Sequence, residues 1–221
     1  MLIVQDNFLD MEILCPLCEG TTDTLYSEIA DRKYYKCPLC DGVFMGSDFL
    51  PNRTEEIDRY MEHNNDVYDE RYRNFVNPIV DAILRDFPKN SKGLDFGAGT
   101  GPVISQILRE QGYEIVQYDP FFHPYESLFN QEYDYIVACE VIEHFHYPAS
   151  EFSMLRDSLK ANGKLYCKTS VLQPDQNFES WYYKDDPTHV FFYSFKTLER
   201  IKKVFDFKKL IVKENLIIFS I

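Results

Sequence analysis

The chain has 221 residues, of which 45% are hydrophobic and 16% aromatic. That composition suffices for one α/β domain with its own core plus a small additional module. The net charge of −13 counts against a surface that binds nucleic acid or anionic membranes, because such surfaces concentrate Lys and Arg. There is no basic leader and no long apolar run, which predicts a soluble, cytoplasmic protein.

Two Cys-x-x-Cys motifs occur early in the chain. Cys15 and Cys18 form the first, Cys37 and Cys40 form the second, and eighteen residues separate them. This spacing predicts a four-cysteine zinc ribbon over residues 1–50, with a redox dithiol or ordinary core cysteines as the alternatives. Because four thiolates complete a tetrahedral shell, the predicted Zn²⁺ is structural, whereas a catalytic zinc keeps one position open for water.

Residues 51–90 show a helical pattern. Apolar residues recur at helical spacing from Phe75 to Leu84, and the stripe ends before Pro88. The polar interval 62–70 between two predicted helices is typical of a solvated loop. We therefore predict a helical connector over residues 51–90.

A glycine-rich loop follows the predicted strand 94–96. It contains Gly97, Gly99 and Gly101, and an apolar-striped helix begins at once. Glycine is needed where the backbone has a positive φ or approaches a ligand closely, and a helix start presents unpaired N–H groups. The loop lacks both the Gly-x-Gly-x-x-Gly spacing of dinucleotide sites and the Gly-Lys-Ser/Thr of phosphate loops. It therefore predicts a ligand site of another kind.

Together with Asp95, this loop reads Asp-x-Gly-x-Gly-x-Gly, which resembles the first motif of the class I S-adenosylmethionine (SAM) methyltransferases. The resemblance implies a Rossmann-like α/β sheet over residues 91–221, with the three glycines against SAM as cofactor. In that family the acid, here Asp95, lies near the amino-acid end of SAM. Helices before the loop usually close the site, which implies Tyr60, His63 and Tyr68 as lid contacts.

The predicted second strand, 113–119, ends in Asp119. An acid about twenty residues after the glycine loop accepts hydrogen bonds from both ribose hydroxyls in parallel α/β sheets. The alternative is a turn-forming Asp before Pro120. In the cofactor interpretation, Phe121 or Phe122 would stack on the adenine.

The segment between Asp119 and the next predicted strand, at Tyr133, has only thirteen residues. That is too short for a helix, a full strand and another helix. We therefore predict that the family's third strand is short or missing, which leaves about six strands. Residues 207–212 and 216–221 are predicted to form the terminal antiparallel hairpin of the fold.

The sequence Glu-Val-Ile-Glu-His at 140–144 resembles a segment that follows the fourth strand in small-molecule methyltransferases and passes beneath the methionine part of SAM. The resemblance implies Cys139 and Glu140 as cofactor contacts. His144 faces the transfer site in many relatives, which implies a catalytic base. The alternative is that His144 and His146 only cap and fill the corner between strand and helix.

One more helix and strand are predicted before the next loop. Pro148 is a typical helix-starting residue, and the Asn162-Gly163 pair is a typical C-terminal stop. Residues 164–169 then form the predicted fifth strand. Its Cys167 is expected to be a small core residue.

A long aromatic and charged loop runs from Gln173 to Tyr193. Long loops inside compact domains are usually functional. Its sequence from Asp186 to His189 resembles the Asp-x-Thr-His segment of one bacterial methyltransferase group, in which the histidine orders the loop near the substrate. His189 with Asp186 would bind substrate, relay a proton or brace the loop.

These motifs occur in the order that the resemblance requires. The predicted function is SAM-dependent methyl transfer to a small-molecule acceptor by in-line displacement, with most of the rate arising from positioning. One alternative is an RNA methyltransferase that binds its substrate through the zinc ribbon. The other is a non-catalytic, partner-binding module on a methyltransferase scaffold, which fold alone does not exclude.

Overall fold

The computed structural model of the chain describes residues 12–62 and 66–221. The α-helices in these ranges are α1 (Arg53–Met61), α2 (Glu70–Asp86), α3 (Val103–Glu110), α4 (Pro148–Asp157) and α5 (Phe195–Val204). The strands are β1 (Ile13–Leu14), β2 (Thr21–Thr22), β3 (Leu25–Ile29), β4 (Arg32–Lys36), β5 (Val43–Met45), β6 (Lys92–Phe96), β7 (Glu114–Tyr118), β8 (Tyr133–Cys139), β9 (Leu159–Lys168), β10 (Phe191–Phe192), β11 (Lys209–Lys213) and β12 (Leu216–Ser220). Across the same described ranges, none of the helices has the length and apolar character needed to span a bilayer.

Six of the described strands form one sheet in the order β11-β12-β9-β8-β6-β7, which we call the main sheet. Strands β7, β6, β8 and β9 are parallel, and β12 and β11 return as an antiparallel hairpin. Between β7 and β8 every residue is described, and the segment contains a short 3-10 helix at Glu126–Asn130 but no strand. The predicted six-stranded sheet without the family's third strand is therefore confirmed.

Helices cover both faces of the main sheet because its central strands are apolar on both sides. Along β8, Tyr135 and Val137 pack with α2 and α3 on one face. Ile136 and Ala138 pack on the other face with Phe152 of α4 and residues of α5. This alternation follows from the two-residue period of a strand. Burial of the Val, Ile and Phe side chains in this set contributes about 1.5–3 kcal/mol each relative to exposure.

A second, antiparallel sheet within the described residues has the order β10-β5-β4-β3, and we call it the ribbon sheet. Its strands β3, β4 and β5 follow one another in the cysteine-containing segment, but β10 comes from the long loop after β9. Phe191 pairs with Phe44, and Phe192 pairs with Val43. The ribbon sheet thus joins the cysteine-containing segment to the loop that follows β9. The domain boundaries at residues 50 and 90 remain a prediction.

The predicted end of α4 was wrong. The helix ends at Asp157, and β9 already begins at Leu159. Leu159 pairs with Tyr133 in the main sheet, and the Tyr133 N–H donates to Ser158 O at 2.8 Å. Asn162, with a φ of +66°, lies in an irregularity inside β9 and does not end a helix. Sheet pairing therefore outweighs the local stop signal.

Candidate active site

The end of β7 holds the glycine loop in place. The Gly97 N–H donates to Tyr118 O, and the Gly99 N–H donates to Asp119 Oδ2, both at 2.9 Å. A Cβ at Gly97, where φ is +76°, would lie 2.4 Å from Val141, so this position requires glycine. Gly99 also has a positive φ, +59°, but a Cβ there would meet nothing within 4 Å. Gly99 therefore borders open space.

That space is a cavity of about 1490 Å³ at the carboxyl ends of β6, β7 and β8. All of the predicted cofactor contacts line it: Asp95, Gly97, Gly99, Gly101, Asp119, Phe121, Cys139 and Glu140. So do the predicted catalytic residues His144, Asp186 and His189, and the predicted lid residue Tyr60. Tyr68 is 73% exposed and is not part of this lining, and His63 lies outside the described residues. The fold therefore brings segments far apart in sequence to one place.

Asp119 forms the turn that its sequence context suggests. Its Oδ1 accepts the N–H groups of Phe121 at 2.9 Å and Phe122 at 3.1 Å, while Oδ2 accepts the N–H of Gly99. A carboxylate has about four lone-pair sites, so these three bonds leave acceptor capacity at the cavity wall. The turn-forming role is thus observed, and the ribose role stays a prediction compatible with it.

Helix α1 is fixed across the cavity by contacts at both ends. Near its start, the Arg53 guanidinium lies over the Phe121 ring at 4.7 Å from the centroid. Near its end, Arg59 Nε and Nη2 donate to Asp186 Oδ2 at 2.9 and 2.8 Å. Burial alone would raise the pKa of Asp186, but the bonds from Arg59 and Thr188 hold that pKa well below its usual range. Asp186 is therefore a carboxylate that binds protons weakly.

Asp95 lies at the base of the glycine loop. It is buried, and its Oδ2 accepts the hydroxyl of Ser105 at 2.7 Å. Burial raises the pKa of Asp95 to about 6, although the bond from Ser105 acts in the opposite direction. The group therefore carries a full negative charge only at neutral pH and above.

Glu140 occupies a strained position at the end of β8. Its φ is +52°, in the left-handed region that a non-glycine residue rarely adopts. Its N–H donates to Lys168 O at 2.7 Å, which continues the pairing with β9. Burial raises the pKa of Glu140 to about 7, and it raises the pKa of the neighbouring Cys139 thiol well above its ordinary value.

His144 and His189 come from different segments and meet at the cavity wall. Their ring centroids are 4.8 Å apart, and the Tyr60 ring packs on His144 at 5.2 Å. His144 Nδ1 lies 2.8 Å from Thr188 O, and His189 Nδ1 lies 2.6 Å from Tyr183 O. A ring nitrogen at this distance from a carbonyl oxygen carries the hydrogen, so Nε2 is the acceptor nitrogen of each neutral ring.

Sequence reasoning missed Glu143 and Tyr183. Glu143 is fully buried, its Oε1 accepts the Tyr183 hydroxyl, and burial raises its pKa well above the ordinary value. The same hydroxyl lies 2.9 Å from Thr169 Oγ1 and 3.2 Å from Glu140 Oε2. One signal was available, because Glu143 is a second acid in a segment that follows a buried strand. Nothing in the sequence indicated that Tyr183 would join the two acids.

The four predicted zinc ligands also converge. Their sulfur atoms lie within 4.8 Å of one another, with Cys15 and Cys40 at 3.8 Å and Cys18 and Cys37 at 3.5 Å. A Cβ at Gly20 would lie 2.8 Å from Cys37 Sγ, so the backbone leaves room there for sulfur alone. This donor set and its tight backbone fit a tetrahedral zinc ion.

Comparison with known proteins gives a consistent result. Residues 68–211 match the family model described as a methyltransferase domain. The fold resembles a SAM-dependent methyltransferase from Archaeoglobus fulgidus, with 16% identity, a TM-score of 0.52, and coverage of 67% of this chain and 94% of that one. An O-methyltransferase family protein from Burkholderia thailandensis has 12% identity and a TM-score of 0.52, with 75% and 61% coverage. Comparison with curated proteins gives no match.

Proposed function

The chain belongs to the methyltransferase domain family, and on that premise we propose that it transfers a methyl group from SAM to a small-molecule acceptor. One observation carries the proposal. The residues expected to contact SAM and those expected to contact the acceptor lie in separate segments of the sequence, yet they line one cavity. SAM supplies a methyl group already activated on a sulfonium sulfur, so the protein has mainly to position the reactants.

The cofactor half of the cavity is formed by the ends of three strands. The open backbone at Gly99 allows a ligand to approach closely. Asp119, already oriented by three backbone N–H groups, accepts the ribose hydroxyls, and Phe121 stacks on the adenine. Asp95 and Glu140 lie nearer the cationic amino-acid end of SAM, where each carboxylate contributes negative charge.

The acceptor half lies beneath α1, beside His144 and His189. Asp186 braces this half, because its carboxylate is bound by Arg59 and Thr188 and its pKa is too low for a base. His144 is the better candidate for accepting a proton from a poorly ionised acceptor, through its Nε2. A cavity roofed by a helix suits a small molecule better than a polymer.

The four cysteines have a structural role in this proposal. With Cys15, Cys18, Cys37 and Cys40 all bound to one Zn²⁺, no position remains for water or substrate. The ion instead holds the ribbon sheet, which contributes β5 as the partner of β10. Zinc therefore supports the loop that carries His189.

Calorimetric titration of the zinc-loaded chain with SAM and with S-adenosylhomocysteine tests the cofactor assignment. We expect saturable binding that collapses in Asp119→Ala. We also expect it to collapse in Gly99→Ala, because the added methyl group stands in the open cavity. Gly112→Ala is the matched control: its φ is also positive, +84°, and its Cβ would meet only the Lys89 side chain at 3.8 Å.

Failure of the unaltered chain to bind either compound would overturn the proposal. It would favour the alternative of a non-catalytic, partner-binding module on a methyltransferase scaffold. Equal losses in Gly99→Ala and Gly112→Ala would show that backbone strain, not a filled site, reduces binding. Saturable binding with selective loss in Asp119→Ala and Gly99→Ala would support the proposal and justify a screen of acceptors.

A further inference from the structure

A second cluster of metal-binding side chains lies at the wall of the cavity. One ring nitrogen each of His144 and His189 and one carboxylate oxygen of Glu143 lie within 4.8 Å of one another. We propose that these three residues bind a divalent transition-metal ion, and that this ion holds a hydroxyl oxygen of the acceptor. The second part of this inference rests on the proposed function.

The histidines are oriented as metal ligands usually are. A ligating histidine almost always donates its other ring N–H to a carbonyl or carboxylate, which fixes the tautomer and the ring orientation. Here the Nδ1 atoms of His144 and His189 lie 2.8 and 2.6 Å from the backbone oxygens of Thr188 and Tyr183. These bonds place the hydrogen on Nδ1, so Nε2 is the basic nitrogen of each neutral ring.

Glu143 provides an independent observation that a cation belongs here. Its side chain is fully buried, its Oε1 accepts the Tyr183 hydroxyl, and its Oε2 has no hydrogen-bond partner among the described residues. A buried polar atom left without a partner is unfavourable, because it loses its bonds to water and gains none in the protein. None of the ion pairs within residues 12–62 and 66–221 includes Glu143. A metal ion would bind this unpartnered oxygen.

Three basic side chains, Lys168, Lys184 and Arg59, contact groups other than Glu143. Lys168 Nζ lies over the Phe75 ring at 4.0 Å from the centroid, and Lys184 pairs with Asp185. Arg59 pairs with Asp186 and Glu62. Among the described residues, none of these three basic side chains pairs with Glu143.

The donor set indicates the class of ion. Imidazole nitrogen suits zinc, iron, copper and nickel, and two histidines with one carboxylate form the facial set typical of Zn²⁺ or Fe²⁺ with open positions. Three protein ligands leave at least one position for an oxygen from outside. Because His144 and His189 line the cavity, that position is accessible to the acceptor.

An acceptor hydroxyl bound to such an ion loses its proton more readily, as metal-bound water does. Its oxygen then forms a bond to the methyl carbon while the carbon–sulfur bond breaks. The electron pair of that bond stays on sulfur, which gives S-adenosylhomocysteine, and the hydroxyl proton passes to solvent. With the ion bound, His144 Nε2 is a metal ligand, and the ion takes over the activation of the hydroxyl that was assigned to His144 as a base. The inference therefore selects an oxygen acceptor over a nitrogen or carbon acceptor.

Titration with Co²⁺ tests the site in the full zinc-loaded chain after dialysis against a weak chelator. We expect one Co²⁺ to bind with visible absorption typical of nitrogen and oxygen ligands, without the near-ultraviolet band of thiolate ligands. Glu143→Gln keeps an oxygen for Tyr183 but removes the charge, and His189→Ala removes a ligand. We expect each to weaken Co²⁺ binding more than about ten-fold, since even outer-shell partners cost 10–100-fold.

Two control variants lie outside the cluster. Glu126→Gln changes an exposed carboxyl, and His123→Ala removes an imidazole that does not line the cavity; neither should change the affinity for Co²⁺.

The inference is overturned if only a thiolate-type band develops, or if Glu143→Gln and His189→Ala bind Co²⁺ like the unaltered chain. Binding of S-adenosylhomocysteine is measured in parallel. Intact binding without a cobalt site overturns this inference alone, whereas a cobalt site without that binding overturns the proposed function and the acceptor assignment.

Discussion

The main sheet and the ribbon sheet differ in how far apart along the chain their strands lie. Every strand of the main sheet lies between Lys92 and Ser220, and most neighbours are joined by short hairpins or single helices. The ribbon sheet combines three adjacent strands near the start of the chain with β10, which follows the main sheet's parallel strands. The main sheet is therefore built from one continuous stretch of chain, whereas the ribbon sheet is completed by a distant strand.

Removing zinc from the four cysteines should have the largest effect on this contrast. Cys37→Ser leaves three thiolates, and zinc binding supplies about 10–16 kcal/mol of folding free energy in small zinc domains. Because Cys15, Cys37 and Cys40 belong to the same hydrophobic cluster as the main sheet, we expect the loss to lower the melting temperature of the whole chain. Calorimetric unfolding together with zinc analysis measures this.

Cys167→Ala provides the control for that substitution. Cys167 is as buried as Cys37 but lies on β9, outside the cysteine cluster. It should keep its zinc and lose much less stability. Full zinc content in Cys37→Ser, or equal destabilisation of the two variants, would contradict the assignment of a zinc-held ribbon.

Phe191→Ala should have the next largest effect, because it breaks the link between the two sheets without touching the metal ligands. Phe191 is fully buried, pairs with Phe44 and packs on Tyr193 at 4.7 Å. Truncation of a buried Phe typically costs about 3–5 kcal/mol. Denaturant unfolding measures this loss. Phe195→Ala is the control: this residue is 59% exposed, so its truncation should change the free energy of unfolding little. Equal losses of stability in the two variants would contradict the role of Phe191 in linking the two sheets.

The smallest predicted effect concerns the main sheet alone and depends on pH. Burial raises the pKa of Asp95 from 3.8 to about 6, so between these values the folded state binds more protons than the unfolded state. The contribution of Asp95 to stability is therefore present at about pH 4 and falls as pH rises through 6, by up to about 3 kcal/mol. Asp95→Asn keeps an oxygen for Ser105 and should remove this part of the slope. Parallel slopes for the variant and the unaltered chain between pH 4 and 7 would contradict the prediction.

The sequence was sufficient to predict the main sheet because the relevant signals are local. Glycine spacing, the acid at the end of β7 and the thirteen-residue gap before Tyr133 each act within a few residues. Together they predicted the six-stranded sheet correctly. The predicted stop at Asn162-Gly163 failed because a neighbouring strand, invisible in local sequence, paired with Leu159.

The remaining site features arise from long-range contacts. Each histidine was noted separately, but nothing in the sequence placed His144 against His189 or Tyr183 on Glu143. The pairing of β10 with β5 is of the same kind, because nothing in the sequence of either segment indicates that the two strands pair. Such pairings are set by packing of the finished fold and not by periodicity.

The pairing of Phe44 with Phe191 also sets an order of events during synthesis. These partners are roughly 150 residues apart in sequence, and contacts so distant are slow to form because a long loop must close first. β5 leaves the ribosome well before β10, so the ribbon sheet is completed late, and until then β5 presents an unpaired edge. We expect the nascent ribbon to be exposed to wrong pairing and dependent on early zinc uptake for protection.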